Sequence, residues 1–134
     1  MRTAVLAVVL LTATACMGDT VSDPVDTSKP GPTALTIEIS PGKGEGPTKL
    51  WTLICPDRGS LPNRQNACKR LDAIEDPFAP VPKNVACTQI YGGPQVAYVR
   101  GRFHDRRIAT RFSRGDGCEI DRWNRVRFLF PSVG

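Results

Sequence analysis

The sequence predicts an α+β fold, a five-stranded antiparallel sheet with two short helices. Two kinds of apolar repeat lead to this prediction. Leu35, Ile37 and Ile39 alternate with polar residues, the period of two that is typical of a strand with one buried face. Ala67 and Leu71 begin a spacing of three to four residues, which indicates an amphipathic helix. A chain of 134 residues leaves room for one compact domain.

Residues 1–15 have the features of an export signal. Arg2 gives a positively charged start, residues 4–11 are apolar, and residues 13–15 offer small side chains for cleavage. The apolar run is shorter than the about 20 residues that a transmembrane helix needs. We therefore predict removal of this segment and a secreted or extracellular mature protein.

Cys16 makes the cysteine count odd, since the chain has five cysteines. It directly follows the small residues of the export signal, and residues 11–16 resemble a lipobox with Ala13 where leucine is usual. We predict that Cys16 carries a lipid and anchors the protein to a membrane. Ordinary signal cleavage is the alternative, with Cys16 lost, left free or paired between molecules.

Residues 16–33 are predicted to be a flexible tether. After Cys16 this segment contains three prolines, three aspartates and few apolar residues. Such a composition buries too little surface to offset the entropy of ordering. The folded domain is then expected to comprise residues 34–134.

The first strand, residues 35–40, is followed by a second over residues 50–55. The second is apolar on both faces, which favours a central position in the sheet. The glycine-rich segment 41–47 joins them as a hairpin connection. A phosphate-binding loop would lead into a helix, whereas Pro47 and Thr48 lead into another strand.

The first helix is predicted over about residues 65–75, with Asn63 or Asn66 as its cap and Pro77 at its end. The proline-rich segment 76–83 that follows cannot join a β-ladder. It should therefore deliver residues 84–93 as exposed backbone.

The remaining elements are a β-hairpin, a helix and a last strand. Residues 95–103 and 107–113 are expected to pair around a turn at 104–106. Asp116 and Glu119 have capping-box spacing and should open a helix in which Ile120 and Trp123 share one face. Phe128 and Phe130 suggest a final short strand, the fifth.

Several of these segments together resemble the Streptomyces subtilisin inhibitor-like family of secreted serine-protease inhibitors. The segments are Cys87-Thr88-Gln89-Ile90-Tyr91-Gly92-Gly93-Pro94, the later Gly117–Trp123, the upstream pair Cys55 and Cys68, and Leu35–Ile37 followed by Gly42–Gly44. The resemblance covers roughly residues 34–130. It implies the same antiparallel fold and a homodimer formed through the sheet.

The resemblance also implies the pairing of the cysteines within the domain. From the residues alone, four cysteines allow three connectivities. The family pairs them in sequence order, which would join Cys55 to Cys68 and Cys87 to Cys118. A zinc site is the rival use of four cysteines, but the chain has no Cys-x-x-Cys pair and the predicted compartment is oxidising.

Matched to the family position by position, the reactive bond falls between Gln89 (P1) and Ile90 (P1′). The other reactive-loop contacts would be Ala86, Cys87, Thr88 and Tyr91. The implied function is substrate-like inhibition of a secreted serine protease, most simply a subtilisin-like one. Better-known members often have Met, Lys or Arg at P1. This chain also has one residue more after Tyr91, which predicts a looser chain on that side.

A concentration of arginine supports a second functional hypothesis. Nine arginines fall within 28 residues, namely Arg100, Arg102, Arg106, Arg107, Arg111, Arg114, Arg122, Arg125 and Arg127. They predict a solvated basic face. In the alternative hypothesis, the chain is a cell-surface binding or scaffold domain that keeps the inhibitor fold and binds anionic wall, lipid or protein surfaces with that face. An exported protein rarely meets nucleic acid, so we do not expect a nucleic-acid partner.

The sequence gives little support for an enzyme. The only histidine, His104, lies in a predicted turn, and the carboxylates are scattered. We expect no catalytic residues, no metal ligands and no cofactor.

Overall fold

A computed structural model of the chain describes residues 31–131. It contains one sheet of four antiparallel strands, two α-helices and a terminal 3₁₀ helix. The elements are β1 (Ala34–Ser40), β2 (Lys49–Ile54), α1 (Arg64–Asp72), β3 (Val96–Phe103), β4 (Arg106–Phe112), α2 (Gly117–Arg125) and the 3₁₀ helix (Arg127–Leu129). The export signal, Cys16 and residues 16–30 of the tether lie outside the described residues, as do residues 132–134.

The sheet has the order β2-β1-β3-β4, and its core lies on one side. Leu35, Ile37 and Ile39 of β1 are buried, as their alternation predicts. Leu71 of α1 and Trp123 of α2 join the same apolar cluster. The opposite face of the sheet carries the polar residues that alternate with these buried side chains along β1. In the described part of the chain, no helix has the length and apolar character to cross a membrane.

The prediction that the second strand is central is wrong, because β2 forms an edge of the sheet. Its apolar composition has another explanation. Residues 58–61 fold back along β2, where Ser60 and Leu61 donate backbone hydrogen bonds to the Thr52 carbonyl, each at 3.0 Å. Leu61 is thereby fully buried, while Leu50 at the other end of the strand is exposed.

The predicted fifth strand is also wrong. Residues 127–129 form a 3₁₀ helix, in which Phe130 N–H donates to the Arg127 carbonyl at 2.9 Å. Leu129 and Phe130 are both buried, and a half-buried strand cannot bury two successive side chains in one core. Phe130 packs 4.5 Å from the Trp123 ring, measured between centroids. The segment therefore closes the core as a continuation of α2.

The helices confirm the predicted elements with shifted bounds. Asn63 is the N-cap of α1 but adopts a left-handed conformation with no side-chain cap bond, and α1 ends well before Pro77. Asp116 caps α2 as predicted, accepting a hydrogen bond from Glu119 N–H at 2.9 Å.

Replacing Phe130 with alanine is expected to lower the free energy of unfolding by about 3–5 kcal/mol, because a large aromatic side chain leaves a cavity in the core. Phe128→Ala is the matched control, because the Phe128 ring is only partly buried. This substitution should lower the free energy of unfolding by less than half as much. Chemical denaturation measures both. Equal losses of stability in the two variants would contradict the 3₁₀ helix, because this helix buries Phe130 in the core and leaves Phe128 only partly buried.

Candidate functional site

The segment of residues 86–93, called the exposed loop below, has no regular secondary structure. It runs between the proline-rich segment and β3. Ile90 and Tyr91 are large apolar side chains, yet 58% and 69% of their surface is exposed. Ala86, Thr88 and Gln89 are exposed as well. Apolar side chains displayed in this way are typical of a binding surface.

Two backbone hydrogen bonds hold the exposed loop at both ends. Gly117 N–H donates to the Thr88 carbonyl at 2.9 Å, and Gly92 N–H donates to the Arg114 carbonyl at 2.7 Å. Between these bonds, residues 89–91 make no backbone–backbone hydrogen bond with any other part of residues 31–131. The three residues therefore form a short free span between two fixed points.

A disulfide between Cys87 and Cys118 adds a covalent link at the first of these points, with 5.3 Å between the Cα atoms. Cys118 lies in the first turn of α2, whose start is held by the Asp116 cap. The second disulfide joins Cys55 to Cys68 away from the exposed loop. Both pairs are those that the family resemblance implies.

The same disulfide decides whether this site could hold a metal. Sulfur and carboxylate atoms of Cys87, Asp116 and Cys118 lie close together. The two sulfurs are bonded to each other, however, and a metal needs the free thiolate. This cluster is therefore a structural crosslink.

Glycines allow the exposed loop to lie close against α2. A Cβ atom at Gly92 would come within 2.9 Å of the Ile120 side chain, and one at Gly117 would collide with the Thr88 hydroxyl. The looser chain after Tyr91 stays a prediction, but Gly92 itself is held in place. Gly92 permits a close approach and a short hydrogen bond, so this glycine fastens the loop.

Arg122 holds the segment that leads into the exposed loop. Its Nε donates to the Ala79 carbonyl at 2.8 Å, and its Nη1 donates to the Glu119 carboxylate at 2.8 Å. The guanidinium also lies 4.7 Å from the centroid of the Phe112 ring. Only 8% of Arg122 is exposed, so its assignment to a solvated basic face is wrong.

Arg114 supports the other side of the loop. Its carbonyl accepts the bond from Gly92, while its Nη1 donates to Gln95 Oε1 at 3.2 Å. The Nε atom is buried and has no hydrogen-bond partner within residues 31–131. Sequence reasoning missed both supporting arginines. For Arg122, the spacing of three residues from Glu119 on one helix was the available signal.

The side chain of Gln89 points back towards the preceding residues of the exposed loop. Its amide Nε2 donates to the Cys87 carbonyl at 3.4 Å, a long and exposed hydrogen bond. Such a bond is exchanged for water at little cost. Gln89 can therefore extend into a partner's pocket without disturbing the two backbone attachments.

Neither a protein-family model nor a curated protein matches this chain. Among solved structures, the chain is similar to one described as Streptomyces caespitosus sermetstatin in complex with Bacillus licheniformis subtilisin. The identity is 23%, the TM-score is 0.45, and the similar region covers 72% of this chain and 97% of that chain. Similarity at this level does not establish a shared function.

Proposed function

We propose that this protein inhibits a secreted serine protease by presenting Gln89–Ile90 as a substrate-like bond. The observation that carries the proposal is the exposed three-residue span 89–91, fixed on both sides to the segment 114–118. The family resemblance described above assigns the reactive bond to the same span. A subtilisin-like enzyme is the partner that this resemblance favours.

Binding would follow the way proteases take up extended segments. The enzyme pairs with an extended chain as an added strand, and its serine attacks one carbonyl carbon. Here Gln89 would supply that carbonyl as P1 and Ile90 the amine side as P1′. Ala86, Cys87 and Thr88 would contact the non-primed side of the cleft, and Tyr91 the primed side. The exposure of Ile90 and Tyr91 leaves them free for such contacts.

Retention of both cleavage products explains how a substrate-like segment could inhibit. After scission, the disulfide Cys87–Cys118 would still join the two halves of the chain covalently. The hydrogen bond from Gly92 to Arg114 would hold the new amine of Ile90 near the acyl group. An amine held in place reacts far faster than one that diffuses away. The peptide bond would therefore re-form about as readily as it breaks.

Rigidity would raise the affinity as well. A flexible substrate loses conformational freedom on binding, whereas a loop already held in its bound shape loses little. More of the interaction energy then appears as affinity, so a standard interface of about 1,600 Å² can be very tight.

The chemistry of the chain agrees with an extracellular setting for this activity. Two disulfides crosslink the folded domain, and disulfides persist mainly in oxidising compartments. The predicted export signal would deliver the chain there, and a lipid on Cys16 would keep it at the cell surface.

Incubation with subtilisin should give inhibition that resists dilution, with slow cleavage confined to the Gln89–Ile90 bond. Mass spectrometry should find the cut chain as two fragments only after reduction, because Cys87–Cys118 links them. A panel of secreted subtilisin-like proteases extends the test. If every enzyme ignores the chain, or cuts it rapidly at this bond and regains full activity, the proposal fails.

The double variant Cys87→Ser/Cys118→Ser should turn the inhibitor into a substrate, because one attachment of the loop is lost. Its free energy of unfolding should fall by about 3.7 kcal/mol in the chain-entropy model. The control is Cys55→Ser/Cys68→Ser, expected to lose about 3 kcal/mol. Inhibition constants and cleavage rates are measured at a temperature where near-ultraviolet circular dichroism shows both variants folded. Similar inhibition by both would show that the Cys87–Cys118 link is not what protects the loop.

Gln89→Lys should create inhibition of trypsin, because a lysine at P1 fits the acidic pocket of that enzyme. The control is Gln89→Glu, which matches the size of glutamine and carries the wrong charge for trypsin. The measurement is the inhibition constant of each variant for trypsin. A lysine variant that trypsin ignores would mean that Gln89 does not occupy P1.

A further inference from the structure

The face of the sheet opposite the core, called the open face below, carries a cluster of arginines. The strand register places Arg100, Arg102, Arg107 and Arg111 on it, together with Glu38. All four arginines are exposed. Glu38 is the single acidic residue in this set. The open face is therefore strongly positive, and it is not used by the proposed inhibitory loop.

Three of the arginines form a compact group, called the arginine cluster below. Arg102 lies directly opposite Arg107 in the register of β3 and β4, and Arg100 precedes Arg102 by two residues on the same face. The small residues Ala34 and Ala109 lie beside them, and the five side chains line a shallow depression. Neighbours of this kind are about 5–7 Å apart in a sheet.

The arginine cluster is largely unneutralised. Arg100 lies 3.8 Å from the Glu38 carboxylate, and both side chains are solvated. Within residues 31–131, Arg102 and Arg107 have no carboxylate at ion-pair distance. Like charges directly opposite each other in a sheet destabilise the fold. A second copy stacked on the open face would add further arginines to this repulsion, whereas an anionic partner would neutralise it.

We propose that the arginine cluster binds the headgroups of anionic phospholipids at a membrane surface. A guanidinium donates two parallel hydrogen bonds to a phosphate group, which a lysine ammonium cannot match. Several arginines on a flat, exposed face contact several headgroups at once. The attraction grows with each basic residue near the surface.

The course of the chain favours a membrane over other anionic partners. Ala34, the first residue of β1, is the register partner of Arg102, so the chain enters the sheet beside the arginine cluster. The sequence predicts a lipid on Cys16, at the far end of the predicted tether. The lipid would hold the cluster within reach of headgroups, and two combined signals anchor a protein more stably than one.

The positions of the exposed loop and the arginine cluster set how the molecule would face a membrane. The exposed loop ends at Gly93, just before β3 begins at Val96, and Arg102 lies near the other end of β3. Arg102 lies six positions after Val96 along β3, a distance of about 20 Å. The exposed loop is also attached to the start of α2, which packs on the core side of the sheet. A membrane on the open face therefore leaves the exposed loop accessible to a protease. This last consequence rests on the proposed function, whereas lipid binding does not.

Vesicle sedimentation tests lipid binding on the chain that begins at Met17. This chain lacks Cys16 and the export signal but keeps every described strand, helix and disulfide. It should bind vesicles containing one third phosphatidylglycerol and ignore pure phosphatidylcholine. Raising the salt to ~0.5 M should release it, because exposed charges are then screened over a few ångströms. Equal binding to both vesicle types would overturn the proposal.

The variant Arg100→Gln/Arg102→Gln/Arg107→Gln should bind the anionic vesicles about a hundredfold more weakly. The control Lys69→Gln/Arg125→Gln/Arg127→Gln removes the same charge from exposed positions on the helical side and should keep most of the affinity. Replacing the cluster with three lysines should retain part of the binding. Thermal unfolding and subtilisin inhibition, measured in parallel, show whether each variant is folded.

Three results would contradict a membrane partner. The first is an equal loss in both glutamine variants, which would mean attraction by net charge alone. The second is binding to soluble polyphosphate with none to vesicles, which would indicate a polymeric anion. The third is a dimer in sedimentation equilibrium that the cluster variant breaks, which would mean that a second copy covers the open face. Loss of subtilisin inhibition with intact vesicle binding would instead refute only the inhibitor proposal.

Discussion

The junction between the exposed loop and the start of α2 is the constraint on which the candidate site depends. Within five residues, the segment 114–118 accepts a hydrogen bond from Gly92, donates one to Thr88 and forms a disulfide with Cys87. These attachments are effective because the segment itself is fixed. The Asp116 cap starts the helix, and Trp123 buries the helix against the sheet. The conformation of three exposed residues is thus set by the core.

Arginine has two unlike roles in this molecule. Arg122 is buried, paired with Glu119 and bonded to the Ala79 and Arg111 carbonyls, so that a charged side chain ties α2, the proline-rich segment and β4 together. A buried charge is tolerated only when it is paired and hydrogen-bonded in this way. Arg102 and Arg107 are exposed and unpaired within the described residues, and they give the open face its charge. The two proposed activities accordingly use opposite ends of β3.

The residues explain why some sequence predictions succeed and others fail. Alternation along β1 and the capping pair of α2 are local patterns, so the strand and the helix start are confirmed. β2 is apolar on both faces, yet a folded-back segment covers its outer edge instead of another strand. Phe128 and Phe130 also alternate, yet a 3₁₀ turn places them at different depths in the core. In both failures the deciding contacts come from residues that the local pattern does not contain.

The sequence by itself determined the α+β composition, the four strands of the sheet, both α-helices and the position of the exposed segment after the prolines. These follow from propensities and periodicities, which act over a few residues. Tertiary structure alone decided the strand order, the burial of Arg122, the close fit of Gly92 against Ile120 and the meeting of Arg102 with Arg107. Each of these joins residues from different elements, and such contacts exist only once the elements have packed around a common core.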